Sequence, residues 1–293
     1  MKHSVLILVA VLLAAFSPAC DRPDRSQPAG ASTHSRIVPA NGAALDLLSE
    51  FIGPERLVGL PRTVLENANV EGEGWAALPT LPGLSVEELL SREVDWVVAH
   101  DWQEPAMRPV LESAGIPVLF LPTVARIEDL DTSLRTLGSA LGQSERAEQV
   151  LGDLHARLDR LQQQGVAIAN KSAMVYSNYG AGGGTAGSDT SYDLMIRWAG
   201  LKNAAAEAGI AGHRDLDLEG LLAIQPDILI VSKGPEGQSP ALDTLKAALD
   251  SAPLHALTLN RIVHLPGCLL TTTSQYLVDA AEELQRQALQ WSW

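Results

Sequence analysis

The chain writes one stretch twice. Leu84 to Ala99, LSVEELLSREVDWVVA, returns at Leu216 to Val231 as LDLEGLLAIQPDILIV. Laid over each other, the copies share Leu84/Leu216, Glu87/Glu219, Leu89/Leu221, Leu90/Leu222 and Asp95/Asp227, and apolar residues match apolar ones through the final run. Ser85 and Asp217 stand where a side-chain oxygen can take an unpaired first-turn amide, so each copy opens as a helix. The runs WVVA and ILIV fit strands buried on both faces of a parallel sheet. Each copy is one αβ unit. A second echo lies upstream of each, Asp46 to Gly53 (DLLSEFIG) and Asp193 to Gly200 (DLMIRWAG), both just after a short apolar strand, Arg36 to Val38 or Ala173 to Tyr176. The chain is therefore expected to form two lobes of like construction. The echoes lie 15 residues further apart in the first lobe, which places a surplus segment within Arg62 to Thr80.

The rest of the chain divides around these units. Met1 to Cys20 has a positive start at Lys2, an apolar run from Val5 to Phe16 and small residues before Cys20, as targeting segments do. That run is shorter than the roughly 20 residues a membrane-spanning helix needs. Ala19-Cys20 resembles a bacterial lipobox, which implies lipidation at Cys20, with simple cleavage as the alternative. Residues 21–35, DRPDRSQPAGASTHS, lack apolar periodicity and read as a flexible tether. Residues 36–125 form an N-terminal α/β lobe, 126–171 a helical linker and 172–293 a C-terminal α/β lobe. In the linker, Ala147, Val150, Leu151, Leu154, Leu158 and Leu161 fall on one helical stripe, with Ser144 as the expected cap. Ser144 to Gln164 would make a rod of about 30 Å. A single rod resists wide hinging, so lobe closure is expected to be small.

A formal charge of −14 argues against nucleic acid, which needs a basic face. The two cysteines, Cys20 and Cys268, form no CxxC pair and suggest neither zinc nor a disulfide framework.

The phrases RIVPANGAALDLLSEFIG, LSVEELLSREVDWVVA, ESAGIPVLFL, DLMIRWAG with NAAAEAG, and LDLEGLLAIQPDILIV, in that order, resemble the substrate-binding proteins of ABC importers for vitamin B12 and iron complexes. That resemblance implies two mostly parallel α/β lobes joined by one long helix and a monomeric, non-enzymatic receptor of the periplasm or cell envelope. It further implies capture of a corrinoid, ferric siderophore or haem, delivery to an ABC permease dimer, and docking through Glu87 and Glu219. The plainer reading of both acids is that a first-turn carboxylate favours the helix dipole.

Ligands of open α/β sheets bind at the carboxyl ends of the strands. The cleft candidates there are Asn41, Trp75, His100, Trp102, Tyr176, Tyr179, Lys233 and Thr272. Aromatic faces at such a rim suit a large flat ligand. Tyr176 or Tyr179 with His100 could ligate haem iron, but no set of three or four residues converges as a bare metal site needs. Gly182, Gly184 and Gly187 match GxGxxG, the one sign of a nucleotide-binding enzyme. No second strand with an acid for a ribose follows, so a mobile glycine loop at the rim is the plainer expectation. A ligand sensor is the remaining alternative.

Overall fold

The computed structural model describes residues 34–178, 182–234, 237–248 and 253–293. The targeting segment with Cys20, nearly all of the tether, and Tyr179 lie outside them.

Lobe one opens with β1 (Ile37–Pro39) and α1 (Gly42–Ser49). It continues through β2 (Leu60–Pro61), α2 (Arg62–Glu66), α3 (Glu73–Ala76) and β3 (Thr80–Leu81), so the surplus segment holds two short helices. The first repeat unit follows as α4 (Val86–Ser91) and β4 (Trp96–His100), and the lobe closes with α5 (Glu104–Ser113) and β5 (Val118–Leu121). Two helices, α6 (Ile127–Ala140) and α7 (Ser144–Gln164), form the linker.

Lobe two runs β6 (Ser172–Val175), β7 (Ser177–Asn178), β8 (Gly183–Ala186), α8 (Ser191–Trp198), β9 (Lys202–Asn203), α9 (Ala204–Glu207) and β10 (His213–Asp215). The second repeat unit is α10 (Leu218–Ile224) with β11 (Ile228–Lys233). After it come α11 (Pro240–Ala248), α12 (His255–Thr258), β12 (Ile262–Pro266), α13 (Gly267–Leu270) and α14 (Leu277–Ala288).

The echoes fall in separate sheets. Lobe one orders its strands β1-β4-β5 and lobe two β9-β6-β11-β12, all parallel. Both caps form as the sequence implies, with Ser85 Oγ accepting from Glu88 N and Asp217 Oδ1 from Gly220 N. The shared aspartates have one job twice. Asp95 Oδ2 accepts from the amides of Ser35 and Arg36 at 2.9 and 3.2 Å, and Asp227 Oδ2 accepts from Ser172 N and Oγ at 2.9 and 3.0 Å. Each carboxylate thus pins the start of the neighbouring strand and satisfies amides that precede the ladder.

In lobe one, Trp96 and Val98 face α1 and α6, while Val97 and Ala99 face the layer containing Leu89 and Leu111. The α1-side core runs without a break through Leu151, Leu154 and Leu161 of the linker into Leu194 and Leu277 of lobe two. The expected rod Ser144 to Gln164 is the single helix α7, and the chain turns at residues 141–143 so that α6 packs back on it. Ser144 is the first helical residue and not the cap, and Gln143, which precedes it, donates from Nε2 to the Phe51 carbonyl at 2.6 Å.

The GxGxxG reading is corrected by the hydrogen bonding. Gly183–Ala186 is a strand, paired antiparallel with β7 on one side and β10 on the other. A side chain at Gly183 would strike the Tyr176 ring, 2.6 Å from Cε2, and one at Gly187 would collide with the Ile210 carbonyl. Gly183 and Gly187 are required by packing, and Gly183–Ala186 is neither a phosphate-binding turn nor a free loop.

Candidate functional site

At the carboxyl ends of the two sheets the segments that follow β1 and β12 meet, where Asp46 and Asn69 of lobe one hydrogen-bond with Ser274 and the Cys268 carbonyl of lobe two. The turns after β1 and β4 form the rim of lobe one, and those after β6, β11 and β12 the rim of lobe two. Asn41 caps α1, its Oδ1 accepting from Ala44 N at 2.8 Å, which frees its Nδ2 to donate to Gln103 Oε1 at 2.5 Å and to His100 Nδ1 at 3.1 Å. Gln103 Oε1 also accepts from His100 N, and its Nε2 reaches the Ala40 carbonyl. Asn41 and His100 are therefore brought together, stitched by a glutamine the sequence did not single out.

His100 is only 1% exposed. Because the Asn41 amide nitrogen can only donate, Nδ1 accepts and the proton rests on Nε2, which has no partner among the described residues. Burial lowers its pKa to about 4, so the ring is neutral.

The other candidates scatter. Tyr176 is 4% exposed, its ring under Gly183 and its hydroxyl 3.5 Å from Asn178 Nδ2. With both Tyr176 and His100 buried, the expectation that either presents an atom to haem iron is not met in this arrangement. Trp75 is partly buried against the lobe-one core, whereas Trp102, directly after β4, is 64% exposed. Lys233 is exposed at the end of β11. Thr272 is buried, and its hydroxyl is 3.4 Å from Asp46 Oδ2 and 2.7 Å from Ser274 Oγ. Among the described residues no group of three or more His, Cys, Asp or Glu is disposed to hold a metal ion.

Thr272 belongs to a polar network across the lobes. Asp46 of α1 is fully buried and accepts from Asn69 N at 2.6 Å, Asn69 Nδ2 at 2.8 Å and Ser274 Oγ at 3.1 Å. Asn69 Nδ2 also reaches the Cys268 carbonyl, and Gln275 Nε2 donates to the Asp46 carbonyl at 2.7 Å and to Glu50 Oε1 at 3.1 Å. Burial raises the Asp46 pKa above the ordinary carboxylate value, while its three side-chain donors and the Asn69 amide pull the other way. Two members of this network show in the sequence, Asp46 as first letter of the DLLSEFIG echo and Thr272 as a cleft candidate.

Glu87 and Glu219 are exposed in the first turns of α4 and α10. Each helix runs back against the strand it feeds, so both first turns lie at the cleft end of their lobes. Glu88 is tied to Arg92 at 2.9 Å, whereas neither Glu87 nor Glu219 has an ion pair among the described residues. Among those residues, too, no helix is long and apolar enough to cross a membrane.

The sequence pattern described as periplasmic binding protein matches residues 83–267. Over 207 residues, 69% of the chain, the sequence is 23% identical to YvrC of Bacillus subtilis, described as an uncharacterized ABC transporter substrate-binding lipoprotein. The match spans 64% of that protein's length. Among solved structures, the apo periplasmic heme-binding protein RhuT from Roseiflexus sp. RS-1 is 26% identical, with a TM-score of 0.74 over 88% of this chain and 100% of its own. The periplasmic heme-binding protein HutB of Vibrio cholerae shares the fold at 22% identity, with a TM-score of 0.72 over 89% of this chain and 100% of that one.

Proposed function

The chain belongs to the periplasmic binding protein family, and from that premise we propose that it is an extracytoplasmic receptor. It captures a metal chelate between its lobes, hands it to an ABC permease and does no chemistry of its own. The observation that carries this reading is the pair of like-built parallel sheets in separate lobes, joined near their carboxyl ends by hydrogen bonds from Ser274 to Asp46 and from Asn69 to Cys268. Such crevices are where ligands of open α/β sheets bind.

Haem leads the candidate chelates because the relative from Roseiflexus is a heme-binding protein. Corrinoid and ferric siderophore follow. The exposed Trp102 offers a face on which a flat ligand can stack, and Lys233 offers a cation to an acidic substituent. Glu87 and Glu219, unpaired at the cleft ends of the two lobes, are the residues to meet cationic side chains of the permease. Lipidation at Cys20 would hold this receptor, as a monomer, at a membrane.

A thermal-shift and fluorescence panel of hemin, cyanocobalamin, a ferric hydroxamate and NAD tests the capture step. One chelate should raise the melting temperature saturably, with about 2.7 kcal/mol of added stability at a hundred times its Kd. A response to NAD alone would sink the receptor reading. For docking, Glu87→Lys and Glu219→Lys should each abolish uptake in cells while leaving chelate binding unchanged.

A further inference from the structure

Asp46 has a feature its echo in lobe two lacks. Both aspartates sit in the first helix of their lobe, and each accepts from an asparagine that follows: Asp46 from Asn69, and Asp193 from Asn203 Nδ2 at 3.1 Å. Asp193 finishes within its own lobe, its second oxygen taking Arg197 at 2.9 Å. Asp46 instead finishes on the hydroxyls of Ser274 and Thr272 in the other lobe.

Every group directed at the Asp46 carboxylate can donate to it, and an ionised carboxylate is acceptor-only, while one hydroxyl proton of the Thr272–Ser274 pair serves the 2.7 Å contact between them. The donors belong to segments that border the cleft. Asn69 lies between α2 and α3, while Thr272 and Ser274 follow α13, which caps the carboxyl end of β12. On the linker side the same contact continues through Glu50, which takes Gln275 of lobe two at 3.1 Å and Arg146 of α7 at 2.9 Å. A crevice of about 110 Å³ opens to solvent there, lined by Glu50, Arg146, Asp153, Leu154 and Gln275, and Gln275 Oε1 is buried without a partner among the described residues. An interface with a tight polar centre and an open crevice beside it can rotate about that centre.

Granting the two-lobed receptor described above, we infer that Asp46 is a positioning residue for its cleft. The carboxylate is the pivot to which both lobes are pinned, and lobe two moves by rocking about it, not by bending of α7.

The test is the interlobe distance in the ligand-free chain, measured between spin labels at Ser113→Cys in lobe one and Ala223→Cys in lobe two, both exposed positions. Cys20 and Cys268 are replaced by Ser. The parent should give one narrow distribution. Asp46→Ala should raise the wide-distance population about ten-fold, equivalent to about 1.4 kcal/mol, with cooperative melting retained. Thr272→Val combined with Ser274→Ala removes only the lobe-two donors and should shift the distribution in the same direction; it decides the matter if Asp46→Ala does not fold. Ala156→Gly, which weakens α7 at an exposed position, should leave the distribution unchanged. A broadening in Ala156→Gly, or folded Asp46 or Thr272/Ser274 variants that superimpose on the parent, overturns the inference. None of these measurements uses a ligand, so they stand apart from any failure of the chelate panel.

Discussion

The two lobes solve the same problem with the same parts and then put one part to different uses. Counting the bridge from Leu57 to Ile37, lobe one repeats the strand order of lobe two, with β1, β4 and β5 in the places of β6, β11 and β12. The Asp95 and Asp227 clamps, the Ser85 and Asp217 caps, and the buried pairs Asp46–Asn69 and Asp193–Asn203 all recur. Difference enters at the rims. Lobe one spends its surplus on α2 and α3, and lobe two builds an antiparallel sheet around its glycine strand. Duplication accounts for the fold, and the departures from it mark where the lobes meet each other or a ligand.

The equivalence is most severely tested in the core. Leu89 and Leu221 occupy matching positions in the repeated helix, and both are fully buried. Leu89→Ala and Leu221→Ala should each cost about 2–5 kcal/mol, in similar amount, as read from urea midpoints. A gap as large as the effect itself would mean the copies are alike in sequence but not in packing.

Next in size is an asymmetry in titration. His100 ends β4, and the matching residue of β11 is Ser232, which does not titrate. With its pKa lowered to about 4, His100 stays neutral in the folded chain while the unfolded chain protonates near 6.5. Its contribution is complete above pH 6.5 and is lost as pH falls toward 4, by about 3 kcal/mol at most. His100→Gln should flatten that part of the stability profile, as denaturant melts from pH 7 to 4 will show.

Asp46 titrates in the opposite sense. Its raised pKa means that the folded state keeps a proton the unfolded state has already released, so stability from this group falls as pH rises from the ordinary carboxylate value through the folded one. Asp46→Asn removes that slope and can keep its oxygen on Asn69 N, but it sets an N–H₂ against the Asn69 side-chain Nδ2 in place of Oδ2, at a cost of about 1–3 kcal/mol. Asp193→Asn should behave differently, since Arg197 there is over half exposed and can turn to solvent. Equal losses and equal slopes would erase the distinction between the two aspartates.

Much of the fold was legible because repetition shows in sequence, and a doubled pattern constrains each copy by the other. The paired αβ units, the Ser85 and Asp217 caps, the separate sheets and the side of the linker stripe follow from residue type and spacing alone. The site was harder to read. His100 stood at a strand end, yet its burial beneath Asn41 and Gln103 depends on contacts some 60 residues apart. Tyr176 looked available until Gly183 closed over it. Asp46 shows in the sequence only as part of a helix echo, because its donors Thr272 and Ser274 lie more than 220 residues further on. Polar partners chosen across lobes leave no periodic trace.

The smallest expected effect belongs to the most exposed shared residues. The first turn of α4 holds two acids, Glu87 and Glu88, and Glu88 is already engaged with Arg92, whereas α10 has Glu219 alone. A first-turn carboxylate interacts with the helix dipole by a few tenths of a kcal/mol, screened by salt. Glu219→Gln should therefore lower stability slightly more than Glu87→Gln at low ionic strength, and the difference should vanish at about 1 M salt, where screening reaches only about 3 Å. Neither change is large enough to unfold the chain. If these variants keep their midpoints and their ligand while uptake in cells fails, the defect lies in meeting the permease; if uptake persists, helix capping accounts for both acids and the likeness of the lobes extends no further than their architecture.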